Sequence, residues 1–342
     1  MKPSAPKVKR KHPVRRALCI VLGALLLYCA LSMAASAIVF RVLFARRDGL
    51  SPLHYTYAEL DADCPRTAFT FPSGNNTLSG FRYDAEGPKG LIVIVNGFGD
   101  GADAHLPEIV EFVKAGWSVA TWDATGVGKS EGQTMIGLMQ PVRDLAAFLA
   151  YYEQSGAWNG LPVMLYGHSA GAYAAAQNLR HPAVCAAVCI SGFDRPVSLM
   201  YGHAKNRVGF LADLEYPFLY LENVLLFGQR ANDSARDAIS AVSVPVLLVG
   251  GDSDDLVPYD NSLIRELETY RNPNVQGLLI TSPYRSEHST PWLSVGAARY
   301  RTEQNGSGDV DKALANELDP AFSETVLQFF ADARQPERMP EE

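Results

Sequence analysis

Residues 167–171 read Gly-His-Ser-Ala-Gly, the G-x-S-x-G spacing of a turn that exposes a nucleophilic serine. The apolar run before this turn predicts a strand, and the small residues after it predict a helix. In so sharp a turn, side chains two positions either side of the serine would collide, and Gly167 and Gly171 remove that collision. We therefore predict that Ser169 is a nucleophile above a helix amino terminus, which favours negative charge. The alternative is a glycine-rich turn with an incidental serine.

A serine hydroxyl needs an adjacent base, usually a histidine whose imidazole is oriented by a carboxylate. His288 follows the last predicted strand and is the candidate base. Three candidate acids, Asp252, Asp254 and Asp255, follow the preceding strand, and the residues alone do not choose among them. Asp252 or Asp255 could instead cap the next helix.

Between residues 66 and 333 the chain resembles the α/β-hydrolases, and it is most similar to their serine esterase, lysophospholipase and peptidase branch. Their chain order is serine, acid, histidine, as here. Residues 251–258 fit the G-x-x-D-x-x-V-P pattern of that family, so the resemblance implies that Asp254 is the acid.

The resemblance also implies an oxyanion hole, which needs two backbone N–H donors. One is expected at Ala170, directly after the nucleophile, and the other at Phe98 in the loop that follows the strand 91–95. Asn96 departs from the family at this loop, where histidine is usual. The backbone role assigned to Phe98 does not depend on that side chain.

Strand and helix patterns alternate along the chain after a hairpin near residues 67–83, which predicts a mostly parallel, twisted sheet with helices on both faces. An aromatic-rich stretch, 193–241, separates two strands and is expected to form a lid over the site. The alternative is a pair of ordinary surface helices. Residues 294–318 are expected to form a surface loop, and 322–333 a closing helix.

The amino terminus has the pattern of a membrane anchor. Ten of the 30 Lys and Arg residues and none of the 37 Asp and Glu residues lie within 1–47. Residues 17–40 carry no charge and would form a helix of roughly 36 Å, long enough to cross a bilayer. The expected organisation is a cytoplasmic basic head (1–16), a transmembrane helix (17–40), a connector (41–65), the hydrolase domain (66–333) and a tail (334–342).

Seven Lys and Arg residues precede the apolar segment, so the positive-inside rule places the amino terminus in the cytoplasm and the domain across the membrane. The alternative is a secreted protein, because Ala35-Ser36-Ala37 fits a signal-peptide cleavage site. The remaining 20 basic against 37 acidic side chains argue against a nucleic-acid partner. No cofactor or metal is expected, and the five cysteines suggest no zinc spacing.

We expect hydrolysis of carboxylic esters, including lipid-like ones, since an anchor and an aromatic insertion favour apolar acyl groups. Two alternatives remain open. Residues 97–102 fit G-x-G-x-x-A, and Asp123 ends the next strand, as in a dinucleotide-binding oxidoreductase. A catalytically silent domain that binds a partner at the membrane is the other.

Overall fold

A computed structural model of the chain describes residues 13–49, 51–60, 64–158, 160–304 and 309–334. Most of the expected basic head and tail, and most of the Asn305–Asp309 segment of the expected surface loop, lie outside the described residues.

One sheet runs through the described part of the chain and contains eight strands in the order β1-β2-β4-β3-β5-β6-β7-β8. The first two strands form an antiparallel hairpin, β2 is antiparallel to β4, and every later pairing is parallel. The strand bounds are β1 Arg66–Ser73, β2 Asn76–Tyr83, β3 Leu91–Val95, β4 Ser118–Trp122, β5 Val163–His168, β6 Val184–Ile190, β7 Val246–Gly251 and β8 Val275–Ile280.

The parallel strands in the middle of the sheet are buried on both faces, which explains their uninterrupted apolar sequences. Their carboxyl ends are in register: Val95 pairs with Gly167, and His168 pairs with Ile190. Loops that leave β3, β5 and β6 therefore emerge side by side at one edge. This register brings residues that are far apart in sequence to one place.

Helices cover both faces of the sheet, as the alternating pattern predicted. Among the described residues their bounds are α1 Pro13–Leu43, α2 Leu106–Lys114, α3 Gln140–Ser155, α4 Ala170–Gln177, α5 Pro196–Val208, α6 Leu211–Phe227, α7 Ala235–Ser240, α8 Val295–Glu303, α9 Lys312–Ala315 and α10 Pro320–Arg334. Helices α8 and α9 lie in the stretch that was expected to be a surface loop.

Two hydrophobic cores lie on opposite faces of the sheet. On one face, Trp122 stacks on Phe148 of α3 with ring centroids 4.8 Å apart, and α4 contributes a run of buried alanines. On the other face, Phe112 and Phe330 pack under β4 and β5. Stacked aromatic pairs add to the gain from apolar burial, so both faces hold the strands rigidly.

Helix α1 is the one helix in the described residues that is long and apolar enough to cross a membrane. It begins four residues before the expected span and ends three residues after it. Most of its large apolar side chains are exposed, but Phe40 and Phe44 near its end are buried against Val127 and Met135 of the domain. The end of the expected anchor is thus packed onto the hydrolase domain.

The insertion expected at 193–241 contains α5, α6 and α7. Helices α5 and α6 form a helical hairpin through Gly209, whose φ of +60° suits glycine. The hairpin packs along α1 rather than standing alone.

Asp144 of α3 is buried and accepts hydrogen bonds from the hydroxyls of Ser73 and Thr125, the Thr125 amide and the Gln140 side chain. We predict that Asp144→Ala, which leaves these donors buried and unpaired, destabilises the fold by about 3 kcal/mol. The melting temperature in detergent micelles should fall by about 5–10 °C. The exposed Glu86→Ala is the control, and equal melting of the two variants would contradict this assignment.

Candidate active site

Ser169 stands at the end of β5, where the chain turns directly into α4. Its φ is +55°, a region that non-glycine residues rarely adopt, and its amide donates to Ile190 O at 2.8 Å. A strained residue persists only where its surroundings over-determine it. The predicted elbow is therefore present, with the serine held between two parallel strands.

The two elbow glycines are required by close backbone packing. A Cβ on Gly171 would lie 1.9 Å from Val95 O, and one on Gly167 would lie 2.4 Å from Gly171 O. Neither neighbour is a movable side chain. The first turn of α4 therefore packs directly on the end of β3, which brings Ser169 next to the loop after that strand.

His288 and Asp254 are paired. The imidazole Nδ1–H donates to the Asp254 carboxylate at 2.8 Å from Oδ2 and 3.0 Å from Oδ1. The carboxylate is in turn fixed by the amides of Leu256 and Val257, which donate to Oδ1 at 3.0 and 2.7 Å. Since a carboxylate only accepts, the proton belongs on Nδ1 and the Nε2 lone pair is left free.

Asp252 and Asp255, the other candidate acids, are exposed, whereas Asp254 is buried. The two loops that carry Asp254 and His288 are locked together, because Ser253 N donates to Ser286 O at 3.2 Å. A Cβ on Gly251 would lie 2.0 Å from the same oxygen. Gly251 is thus a positional requirement that the sequence did not reveal.

The His288 carbonyl is held by two residues next to the elbow. Ser191 Oγ donates to it at 3.0 Å, and His168 Nε2–H donates at 3.1 Å. Burial lowers the pKa of His168 well below its usual range, so this ring is neutral. His168 precedes the nucleophile, and its role in holding the candidate base escaped the sequence analysis.

The serine and the base are not hydrogen-bonded to each other. Among the described residues, Ser169 Oγ has no hydrogen bond to the His288 ring, although both residues are tied to the neighbouring pair Ile190 and Ser191. The structure therefore brings the acid and the base together, and places the serine beside them without the final contact.

The two expected oxyanion donors border one small cavity, which Phe98 and Ala170 line together with Gly97 and Gly99. Neither the Phe98 nor the Ala170 N–H has a hydrogen-bond partner among the residues that the structure describes. Asn96 turns away, and its amide donates to Trp122 O at 3.1 Å. The residue that departs from the family pattern thus joins β3 to β4 and leaves the loop amides free.

Residues near the end of α1 hold the Phe98 loop from outside. The Phe44 ring meets the Phe98 ring edge-on at 5.3 Å, and the Arg47 guanidinium lies over it at 4.6 Å. Arg47 N donates to Gly126 O, and Gly128 N donates to Arg47 O, which ties this segment to the loop after β4. Phe44 and Arg47 lie in the segment that the sequence pattern predicted to be only a connector.

A polar cavity of about 620 Å³ opens beside His288. Burial lowers the pKa of His54 to about 3 and that of Arg301 to about 10, whereas it raises the pKa of Asp100. These three residues line the cavity, which makes it a candidate for binding the polar part of a substrate. A larger groove, about 810 Å³, lies against α2 and α10 and contains none of the candidate catalytic residues.

The glycine-rich segment after β3 lacks two features of the dinucleotide-binding fold. In that fold the first parallel strand lies between the second and the fourth. Here the first parallel strand, β3, lies between the second and the third, which are β4 and β5. The Asp123 carboxylate, expected at a ribose, accepts from the amides of Ala102 and Lys129. The strand order and these hydrogen bonds therefore do not support the oxidoreductase alternative. In the described part of the chain, no group of three His, Cys, Asp or Glu side chains is placed to hold a metal.

Comparison with known proteins agrees with this geometry. The family model described as serine aminopeptidase, S33, matches residues 86–226. No curated protein matches the sequence.

Several solved structures share the fold. An esterase of Pyrococcus furiosus, Pf2001, superposes with a TM-score of 0.59 at 18% identity, covering 85% of this chain and 100% of that one. Est1E of Butyrivibrio proteoclasticus, with ferulic acid bound, superposes with a TM-score of 0.53 at 17% identity, covering 77% of this chain and 100% of that one. Acylaminoacyl peptidase of Pyrococcus horikoshii superposes with a TM-score of 0.54 at 16% identity, covering 82% of this chain and 44% of that one.

The chain has the α/β-hydrolase fold, and the fold prediction is confirmed. The esterase and peptidase structures show the fold alone, and the family match over residues 86–226 supports a serine hydrolase.

We predict that Gly171→Ala destabilises the chain by on the order of 3 kcal/mol or more, because its methyl group would meet the β3 backbone. The expected result is a lower melting temperature in detergent. Gly202→Ala in α5 is the matched control, since the nearest atom to its Cβ is 3.7 Å away in a side chain. Wild-type stability of Gly171→Ala would show that the elbow and β3 are not packed as described.

Proposed function

We propose that this chain is a membrane-anchored serine hydrolase that cleaves carboxylic esters through an acyl-enzyme. The observation that carries the proposal is the pair of buried Asp254 and half-buried His288, held beside a serine with a φ of +55°. Fold alone would not argue for an activity. The side-chain pairing and the strained elbow are features of this site.

In this proposal His288 is the base and Ser169 is the nucleophile. The Nδ1–H bond to Asp254 leaves Nε2 free to take the serine proton as Oγ attacks the carbonyl carbon. Bonds between catalytic groups are often long without substrate and shorten in the complex. The missing Ser169–His288 contact is accordingly the one that we expect substrate binding to complete.

The amides of Phe98 and Ala170 then stabilise the oxyanion of the tetrahedral intermediate. Each such donor typically lowers the barrier by about 3 kcal/mol. The intermediate collapses as His288 returns the proton to the leaving alkoxide, which departs as an alcohol. Water, deprotonated by His288, attacks the acyl-enzyme and releases the acid, and Ser169 recovers its proton.

Amide bonds are the second candidate, because the family model that matches residues 86–226 is described as a serine aminopeptidase. The same groups can cleave an amide if His288 protonates the departing nitrogen. Esters are favoured here because their leaving group needs less assistance, and because apolar elements lie near the site. A p-nitrophenyl ester and the p-nitroanilide of the same acid distinguish the two.

We also propose that α1 is an uncleaved anchor with its amino terminus in the cytoplasm and the domain on the other side. Support comes from its length, its exposed apolar surface and the basic residues before it. Cleavage after Ala37 would leave Phe40 and Phe44, which pack on the domain, at the new amino terminus.

We predict that Ser169→Ala lowers p-nitrophenyl ester turnover by at least about 10⁴-fold, because the nucleophile is removed while the fold is kept. Labelling by a fluorophosphonate probe should vanish with it. Ser191→Ala is the matched control, since Ser191 lies beside the site but has no covalent role, and it should still be labelled. Unchanged turnover by Ser169→Ala would overturn the mechanism.

Asp254→Asn should lower turnover by on the order of 10³–10⁴-fold, since an amide at this position no longer favours the tautomer with its proton on Nδ1. Asp252→Asn changes an exposed side chain nearby and should remain within about 3-fold of wild type. Initial rates at saturating ester measure both. The reverse ranking would mean that Asp254 is not the acid.

A further inference from the structure

The α5–α6 hairpin packs along the membrane-spanning candidate α1. Tyr28 Oη donates to Leu214 O at 3.0 Å, and Ser32 Oγ donates to Glu215 Oε1 at 3.0 Å. The rings of Tyr28 and Phe218 meet edge-on at 5.5 Å. These contacts lie well inside α1, far from its end at Leu43.

The position of these contacts along α1 indicates how deep the hairpin would lie in a bilayer. Tyr28 is 11 residues past Ala17, the start of the apolar segment, which is roughly 16 Å along a helix. The hydrocarbon layer is about 30 Å thick, so Tyr28 lies near its middle if α1 spans it. Leu219 and Leu226, further along α6, lie near Phe40. The first turns of α6 therefore lie at the deepest level of the hairpin.

The hairpin is apolar where it is deepest. Phe210, at the tip, is 70% exposed, and the neighbouring Val208, Leu211 and Leu214 are also exposed. Leu221 and Leu225 extend this surface along α6. A contiguous apolar surface of this kind is typical of membrane or protein contact. It is continuous with the exposed apolar surface of α1, which indicates lipid as its partner.

The acidic groups at the same level are paired, which lowers the cost of placing them in lipid. Glu215 accepts from Ser32, and Asp213 accepts from Tyr201 and pairs with Lys205. Arg207 near the tip is exposed and can extend towards the lipid phosphates. A groove of about 460 Å³ between α1, α5 and α6 is lined mainly by apolar side chains and is open to an acyl chain.

We propose that the tip of the α5–α6 hairpin inserts into the acyl layer of the bilayer leaflet nearest the domain, as a second membrane contact beside α1. This inference rests on the proposed transmembrane role of α1. It makes the α5–α6 hairpin a membrane-embedded element.

Single tryptophan reporters in the full-length chain test the insertion. The chain is reconstituted in phosphatidylcholine vesicles with or without brominated acyl chains, which quench tryptophan in the hydrocarbon. The native tryptophans are buried in the domain and provide a constant background, namely Trp117, Trp122, Trp158 and Trp292. The variants are Phe210→Trp at the tip, Leu26→Trp on exposed α1, and Glu86→Trp on the loop before β3.

We expect bromination to remove the added emission of Leu26→Trp and Phe210→Trp and to leave that of Glu86→Trp unchanged. If bromination quenches Leu26→Trp but not Phe210→Trp, the inserted hairpin is overturned and the anchor is retained. Absence of quenching in both would overturn the anchor and the hairpin together. Quenching of Glu86→Trp as well would overturn the proposed orientation, because that loop lies at the opposite edge of the sheet. Unchanged melting temperatures confirm that each variant is folded.

Discussion

The contact between the first turn of α4 and the end of β3 is the constraint on which the site depends. Gly171 lies so close to Val95 O that no side chain fits between them. The same turn holds Ser169 at its positive φ, and the close approach sets this candidate nucleophile beside the Phe98 loop. The elbow and the oxyanion loop are therefore positioned by one backbone contact, which no side-chain substitution elsewhere could replace.

The candidate base, His288, is held at its imidazole and at its backbone carbonyl by residues from the same edge of the sheet. Asp254 holds the imidazole, while Ser191 and His168 hold the carbonyl of His288. His168 directly precedes Ser169, and Ser191 follows Ile190, to which the Ser169 amide is bonded. A shift of the elbow would therefore move His288 with it. Precise placement of reacting groups is a large part of catalytic power, and shared anchoring preserves it.

The sequence predicted most of the fold because buried parallel strands have short, continuous apolar runs, and β3 was predicted to the residue. Ser169, Asp254 and His288 follow from motif spacing, although Asp254 needed the family resemblance. Its burial and its two amide donors distinguish it from Asp252 and Asp255 only in three dimensions. His168, Gly251 and Phe44 were missed because their roles are contacts between segments that are distant along the chain. Residues 294–318 were misread because the short helices α8 and α9 lack an apolar period.

The end of α1 connects the expected membrane anchor to the candidate active site. Phe44 and Arg47, directly after α1, contact Phe98, the expected oxyanion donor, and α1 itself contacts the α5–α6 hairpin through Tyr28 and Ser32. If α1 is fixed in a bilayer, the α5–α6 hairpin and the Phe98 loop are both held by contacts with this one helix and the residues directly after it. A tilt of α1 would then act on substrate entry and on transition-state stabilisation at once, because packed side chains transmit displacement rather than absorb it. If α1 spans a bilayer, the hydrocarbon thickness, which a longer helix accommodates partly by tilting, would act on this site through these contacts.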